Sequence, residues 1–357
     1  MLNNLCRFKF LIILLFSVSC SFHTRYFSVS CIFHPKYYNL SKADKSVIIY
    51  KLKTKKYIKS IPLSSLNKNE KTNYIPLIFN MMHEEYNGIE DDVIWNLIEN
   101  SQFIIGKANI NNDKFDEIII ASTAFTVDLR IFNYKNELIY KWEVGGPPIT
   151  QITFLDIDND NIYELIIEQI IQGGGAGLSH RFVSVFKFNQ SKLTLLWTAE
   201  RFRGWFVGLS KDLGALSSRI EFIEGKNKKV ETIIVKSMLI KLEYSNKYNK
   251  YPKDMYELYR KWYPEEIYKY DPISQKYKIL IKEEEIDRFV IDALFDEKWL
   301  GGDNIVKALG ELKSEKFKWV LMSLSKQCLG IRRDLAAKAL KNYESNVLPF
   351  RKKNKKD

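Results

Sequence analysis

Cysteine is all but missing from the body of this chain. Cys6, Cys20 and Cys31 stand near the start and only Cys328 lies far from it, which excludes a disulfide framework. Histidine is as scarce: His23, His34, His83 and His180 are the full set. None has zinc-ligand spacing or a Ser/Asp partner nearby in sequence, so neither a zinc centre nor a nucleophilic triad is legible. The stretch "MMHEEY" (81–86) lacks the second histidine of a zinc-protease helix. "QGGGAGL" (172–178) lacks the Gly-Lys-Ser/Thr ending of a phosphate loop and runs into the strand-like "RFVSVFKF", so it reads as an expanded turn between strands. An acidic excess is also missing. The net charge is +12, but Lys is spread throughout, and the densest basic run, "RKKNKKD" (351–357), reads as a solvated tail. With 46% hydrophobic residues the composition is globular rather than disordered.

Long apolar runs are confined to one place. "FLIILLF" (10–16) follows Arg7 and Lys9 and precedes "SVSC" (17–20). That is the layout of an export signal covering residues 1–19, and the run is too short to span a bilayer. Ser17 and Ser19 sit at −3 and −1 before Cys20. The tetrapeptide also resembles a bacterial lipobox, with Ser17 where Leu is usual. The resemblance implies lipidation at Cys20 and a membrane tether; ordinary cleavage at the same place implies a secreted chain. Both are extracytoplasmic, which argues against a nucleic-acid partner. "FSVSCSFHTRY" (16–26) is repeated at once as "FSVSCIFHPKY" (27–37), so residues 20–43 read as a duplicated linker.

The informative pattern is a longer repeat. "ANINNDKFDEIII" (108–120) lies over "LDIDNDNIYELII" (155–167) at a constant offset, placing Asn109 on Asp156, Asn111 on Asp158, Asp113 on Asp160 and Glu117 on Glu164. A hairpin pattern follows each: "RIFNYKNELIYKWEV" (130–144) and "SVFKFNQSKLTLLWT" (184–198). "IIYKLKTKKYIKSI" (48–61) and "EIYKYDPISQKYKILI" (266–281) share the form, and "IEFIEGKNKKVETIIV" (220–235) keeps the strand–loop–strand outline without the carboxylates. Blades of about four short strands at a period near 50 residues are a propeller signature.

The loop and the strand after it resemble the FG-GAP or VCBS repeats of integrin-type β-propellers, over residues 44–282. In that family the loop holds calcium. The resemblance implies Ca²⁺ ligation by Asp156, Asp158, Asp160, the carbonyl of Ile162 and Glu164. Asn161 takes the family's glycine position, and Asn tolerates the left-handed backbone better than other non-glycine residues. Asn109, Asn111, Asp113 and Glu117 form a weaker second site, with Lys114 at the glycine position. The repeats are too few for a seven-blade ring, so the expectation is a small or partial propeller, with residues 62–102 holding either a degenerate blade or an inserted helix, since "DDVIWNLIEN" (91–100) has roughly helical spacing.

From residue 283 the period shifts to about 3.6. "EEIDRFVIDALFDEKWL", "DNIVKALGELK", "SEKFKWVLMSLSKQ" and "GIRRDLAAKALKNY" read as helices, with Asp303 as an N-cap. The alternation resembles a HEAT-type repeat; a plain helical bundle is the other reading. Residues 283–345 are thus a helical domain and 346–357 a basic tail. The fold class expected is mainly β with an α C-terminal domain. With no acid/base or nucleophile constellation in view, the expected function is a non-enzymatic binding or scaffold module contacting a protein or glycan. "ERFRGWF" (200–206) mixes Arg and aromatics in the manner of a sugar-stacking surface. The alternatives are a hydrolase or lyase with its site on one propeller face, and a self-assembling envelope protein.

Overall fold

Strands that carry Ile or Leu at consecutive positions have two faces to bury. The computed structural model shows what covers each face. It describes residues 47–345, other than 86–87, 101, 124–128, 143–146, 173–178, 190, 206–211, 245–255, 263–264, 282–285, 287–290, 292–293, 296–300 and 313. The export signal, Cys20, the linker, the glycine-rich 173–178 and the basic tail therefore lie outside the described residues.

The chain is mainly antiparallel sheet followed by helices. A five-stranded sheet runs in the order β3 (Ile61–Pro62), β4 (Phe103–Ala108), β5 (Glu117–Ser122), β6 (Leu129–Phe132) and β7 (Leu138–Lys141). An eleven-stranded sheet starts from β2 (Ile58–Lys59) and continues through β8 (Ile149–Leu155), β9 (Glu164–Gln172), β10 (Ser179–Asn189) and β11 (Lys192–Trp205). It then passes through β12 (Asp212–Glu224), β13 (Val230–Tyr244), β15 (Glu265–Asp271) and β16 (Lys276–Leu280). Off this path, β14 (Tyr256–Trp262) pairs with β13, and β1 (Val47–Lys51) pairs with β12 in parallel. Helices α1 (Lys68–Glu85) and α2 (Asp91–Glu99) precede β4; α3 (Gly301–Leu312), α4 (Glu315–Gln327) and α5 (Gly330–Ser345) follow the sheets.

These elements stack in layers. Ile78, Met81, Met82, Ile94 and Ile98 of α1 and α2 cover one face of the five-stranded sheet, at Phe103, Ile105, Ile120 and Phe132. The other face, with Ile104, Ala108, Ile119 and Ile131, packs on Ile152, Phe154, Leu165 and Ile167 of β8 and β9. Leu155, Ile166, Val183 and Val185 point away from it and join Ile220, Phe222, Ile233, Val235 and Tyr268. Neighbouring residues of β5 and of β9 are thus shared between different cores, which is why those strands read as unbroken aliphatic runs. β11 and β16 are four strands apart along the sheet path, about 19 Å at ordinary strand spacing if flat. They lie in contact, so the large sheet folds over on itself. Helices α3–α5 close the far end around Leu216, Leu309, Phe317, Val320 and Leu324.

Two expectations are corrected, those for residues 48–61 and for Asp303. Residues 48–61 do not form a hairpin: β1 pairs with β12 and β2 with β8. The segment between them is tied to the end of β12 by Glu224, whose carboxylate accepts the N–H groups of Lys53 (2.6 Å) and Thr54 (2.9 Å) and the Thr54 hydroxyl. Asp303 is not a cap, since α3 already begins at Gly301 and the carboxylate accepts from Arg332 Nε at 2.9 Å. Among the described residues the strands do not close into a ring. The segment 91–100 is helical as α2 with its C-cap Asn100, and 220–235 forms the β12–β13 hairpin.

Candidate cation site in the repeated loops

The loops joining β4 to β5 and β8 to β9 repeat in hydrogen bonding as well as in sequence. Glu164 opens β9 fully buried, and its Oε2 accepts the Ile157 N–H at 2.7 Å; Glu117 opens β5 fully buried and accepts the Ile110 N–H at 2.9 Å. Asp160 Oδ1 accepts the Ile162 N–H at 2.9 Å, and Asp113 Oδ1 accepts the Phe115 N–H at 2.7 Å. A carboxylate that satisfies a loop N–H two residues on is a local substitute for the ladder bonds a tight turn cannot make. In the second loop Asp156 adds three more such bonds, accepting from Asn159 (2.7 Å), Asp160 (3.2 Å) and Asn161 (3.2 Å). Asn159 and Asn161 both take left-handed φ, +64° and +68°. Asn112 repeats the first of these, at +67°, whereas Lys114 does not repeat the second.

The two loops sit side by side on one edge. The Asn109 carbonyl accepts the Tyr163 N–H at 2.9 Å, and the Ile157 carbonyl accepts the Val230 N–H at 2.7 Å. This chain of bonds runs from the first loop through the second to the start of β13.

Asp156, Asp158 and Glu164 each bring one carboxylate oxygen within 4.8 Å of the others. Calcium oxygens at about 2.3–2.6 Å from the ion can stand up to about 5 Å apart across it, so the spacing fits. Two side chains that sequence reasoning missed also reach the cluster. Lys187 Nζ on β10 lies 2.7 Å from Asp158 Oδ2, 2.7 Å from Asp160 Oδ2 and 3.2 Å from Glu164 Oε1. Lys55 Nζ lies 3.4 Å from Asp156 Oδ2 and 3.3 Å from Asn159 Oδ1. The Lys187–Glu164 approach is close enough for an ion pair but not aligned as a hydrogen bond, so Glu164 Oε1 is left without a hydrogen-bond donor, as is Asp158 Oδ1.

Burial dominates the electrostatics here. It pushes the Glu164 carboxyl up to about 8, with Asp158 adding repulsion, and it also raises Asp158. For Asp160 burial acts upward too, but the Lys187 ammonium and the Ile162 N–H outweigh it and lower the carboxyl. Lys187 itself is held more basic than usual: burial opposes this, and the bonds to Asp158 and Asp160 prevail. A cation that drew the proton off Glu164 would meet four carboxylates and two ammonium groups, a net of two negative charges that one divalent ion balances.

Among the described residues no lysine is paired with the acids of the first loop. Asn109 Oδ1 and Glu117 Oε1, at the positions matching Asp156 and Glu164, are buried without a hydrogen-bond partner, and burial raises the Glu117 carboxyl. Asn111 instead binds Asp113 within the loop, through Nδ2 to Oδ2 at 3.1 Å. For Ile162 the structure gives the N–H a partner, Asp160. The third turn carries no matching acid. There Glu224 is turned to the 53–55 segment; burial would raise it, but the hydrogen bonds from Thr54, Lys53 and Lys55 hold it at about 2.

A detectable signal existed for Lys187. It lies between Phe186 and Phe188, both buried, and a lysine inside a buried strand needs a counter-charge. His180 stands half-buried at the start of β10: its Nδ1 lies 3.4 Å from Glu200 Oε1, and burial followed by the charge of Arg203 lowers its pKa to about 4. Glu200 and Arg203 of "ERFRGWF" are buried against each other. Among the described residues no helix is long and apolar enough to cross a membrane. Comparison with protein-family models, curated proteins and solved structures finds no match to this chain.

Proposed function

We propose that this chain is a non-enzymatic, extracytoplasmic binding or scaffold module, built as an open, partial FG-GAP/VCBS-like propeller. Export follows from the N-terminal signal, and lipidation at Cys20 tethers it to a membrane. Calcium pins the Asp156–Glu164 loop, with Asp156, Asp158, Asp160, the Ile162 carbonyl and Glu164 as ligands. Asn109, Asn111, Asp113 and Glu117 hold a second ion more weakly. The observation that carries this reading is the buried glutamate at each repeat: one oxygen fixed on the N–H seven residues back, the other without a donor beside further loop oxygens. A buried carboxylate oxygen left without a partner costs free energy that a cation recovers.

The pinned loops present an edge for a protein or glycan partner. Beside the first loop, Phe115 and Tyr134 stack with centroids 4.0 Å apart while each stays about half exposed, and Lys135 covers the Tyr134 ring. Exposed aromatic pairs with a polar rim suit either partner.

Thermal unfolding in calcium and in chelator tests the metal. At a ten- to twentyfold excess over the dissociation constant, linkage gives roughly 1.4–1.8 kcal/mol of stabilisation, about 2–4 °C for a chain of this size. Asp158→Ala should abolish the shift. Lys187→Met should enlarge it, because the ammonium and the ion compete for the same oxygens. An equal shift in all three proteins, or none in any, removes calcium from this reading.

A further inference from the structure

Two segments far apart in the chain bring lysines to one edge of the molecule. Residues 51–59, which cross from β1 to β2, hold five lysines and no acid; the turn from β12 to β13 holds Lys226, Lys228 and Lys229. The parallel ladder sets Lys51 beside Ile223, so both segments leave the sheet at the same end. Glu224 then ties them together through the Lys53 and Thr54 N–H groups. Lys51 and Lys55 are engaged internally, with Glu221 and Asp156. Lys53, Lys56, Lys59 and the three lysines of the turn are exposed, and among the described residues none of the six pairs with a carboxylate. The acids nearby are mostly engaged. Glu221 also takes Arg219, Glu224 faces the crossing segment, and Lys187 binds Asp158 and Asp160. Glu231 lies against Gly225 and offsets one of the six charges.

The same edge carries a fixed aromatic ring. Tyr57 stacks on Tyr50 with centroids 4.5 Å apart, and Tyr50 on the fully buried Phe222 at 5.4 Å. Tyr57 itself is 44% exposed, and Lys59 Nζ lies 5.8 Å from its centroid.

We propose that this edge binds an anionic glycan, a polysaccharide chain bearing carboxylate, sulfate or phosphate groups. The proposal rests on the reading of the chain as an exported binding module and names the chemistry of its partner. Like charges crowded within a Debye length, about 8 Å at physiological salt, repel one another, and a polyanion laid across them removes that cost. Lysine suits such a partner: ammonium groups on flexible stems follow charge density, whereas the guanidinium fork selects a fixed geometry. Tyr57 adds a ring, anchored to the core by its stack, for the apolar face of a sugar. A lipid surface calls for apolar side chains that reach past the charges, and residues 225–229 have none.

The experiment titrates the chain from residue 20 onward, made without lipid, with dextran sulfate, alginate and uncharged dextran at about 50 and 200 mM salt. The two anionic polymers should bind, more weakly at the higher salt, and dextran should not. Lys53→Gln, Lys56→Gln and Lys226→Gln together should lower the affinity about tenfold or more and flatten the salt dependence. Lys316→Gln, Lys338→Gln and Lys341→Gln remove the same charge from exposed positions on α4 and α5. That control should change the affinity less than about twofold, because distant charges are screened. Tyr57→Ala should weaken binding and keep the salt dependence. Equal losses in the two triple variants would mean that the net charge of +12 attracts polyanions at large, and would overturn the proposal. So would full affinity in the patch variant or in Tyr57→Ala, binding of dextran, no binding of either anionic polymer, or capture by phosphatidylglycerol vesicles alone. The calcium shift in unfolding is measured separately, so a chain that keeps it and binds no polysaccharide loses this partner and not the module.

Discussion

At the scale of single residues, the acids that fill the interior divide by what they touch, and pH should reveal the division. Burial holds Glu266 at about 7, against the ordinary 4.5, despite the bond from Tyr268. The folded chain therefore keeps a proton that the unfolded chain releases, and this group's contribution falls as pH rises from about 4.5 to about 7. The full loss is on the order of 3 kcal/mol. Glu200, also at about 7 through burial, acts in the same direction, whereas His180, lowered to about 4, gains stability as pH rises through the same window. Wild-type stability alone mixes these effects, so the informative quantity is a difference. Glu266→Gln should match wild type in urea unfolding near about pH 4.5 and be more stable by a few kcal/mol near about pH 7.5. A constant difference across the two would mean that Glu266 keeps an ordinary pKa.

The same scale shows what a linear sequence displays and what it hides. Asp156, Asp158, Asp160 and Glu164 announce themselves because a loop gathers residues that are close along the chain. Asn161 does so as well, and its left-handed φ follows from Asn at the glycine position. Lys187 lies 29 residues beyond Asp158, and Lys55 lies 104 residues before Asn159. Their arrival depends on how β10 and the β1–β2 crossing pack, which spacing cannot express. Glu200 and Glu266 were missed for the same reason: each is unremarkable in its own strand, and only the fold of the large sheet over itself brings them to one cavity.

Elements were legible where one period dominates. The runs at 118–121 and 164–167 give strands, and 303–312, 315–327 and 330–343 give helices α3 to α5. The pairing of residues 48–61 is not legible because an alternating pattern suits any strand, and the partners β12 and β8 are distant in sequence. Close packing between elements is likewise set by residues that look permissive. Gly106 of β4 leaves room for the buried ring of Phe154: a Cβ there would stand 2.3 Å from two ring carbons. Gly106→Val should therefore cost about 1–3 kcal/mol by overpacking, read as a lower denaturant midpoint with an unchanged slope. Combining it with Phe154→Leu should recover part of that loss, and simple additivity of the two would show that the residues do not meet in the folded chain. Gly310 plays the same part between α3 and α5, where an added Cβ would lie 2.7 Å from Ala339 Cβ.

For the whole molecule, the governing feature is a stack in which each layer completes the core of the next. The change of period at residue 283 suggests a boundary between an autonomous sheet domain and a helical appendage. The packing argues otherwise. Leu216 of β12 is buried in the same cluster as Leu309, Phe317 and Leu324, with Ile279 and Ile281 packed against it. Asn304 also reaches across to Tyr268, and the cavity of Glu200 and Glu266 has α3 as one wall. Removing the helices would expose that apolar face and open two buried carboxylates to water. The first change destabilises and the second relieves a cost, but burial of several aliphatic side chains at about 1.5–3 kcal/mol each outweighs it. A chain ending at residue 282 should then unfold at a clearly lower temperature than one ending at residue 345 and bind a dye specific for exposed apolar surface. Equal midpoints and no dye binding would mean that the sheets are a self-sufficient domain. In that case the helices would be an addition to the stack rather than its closing layer.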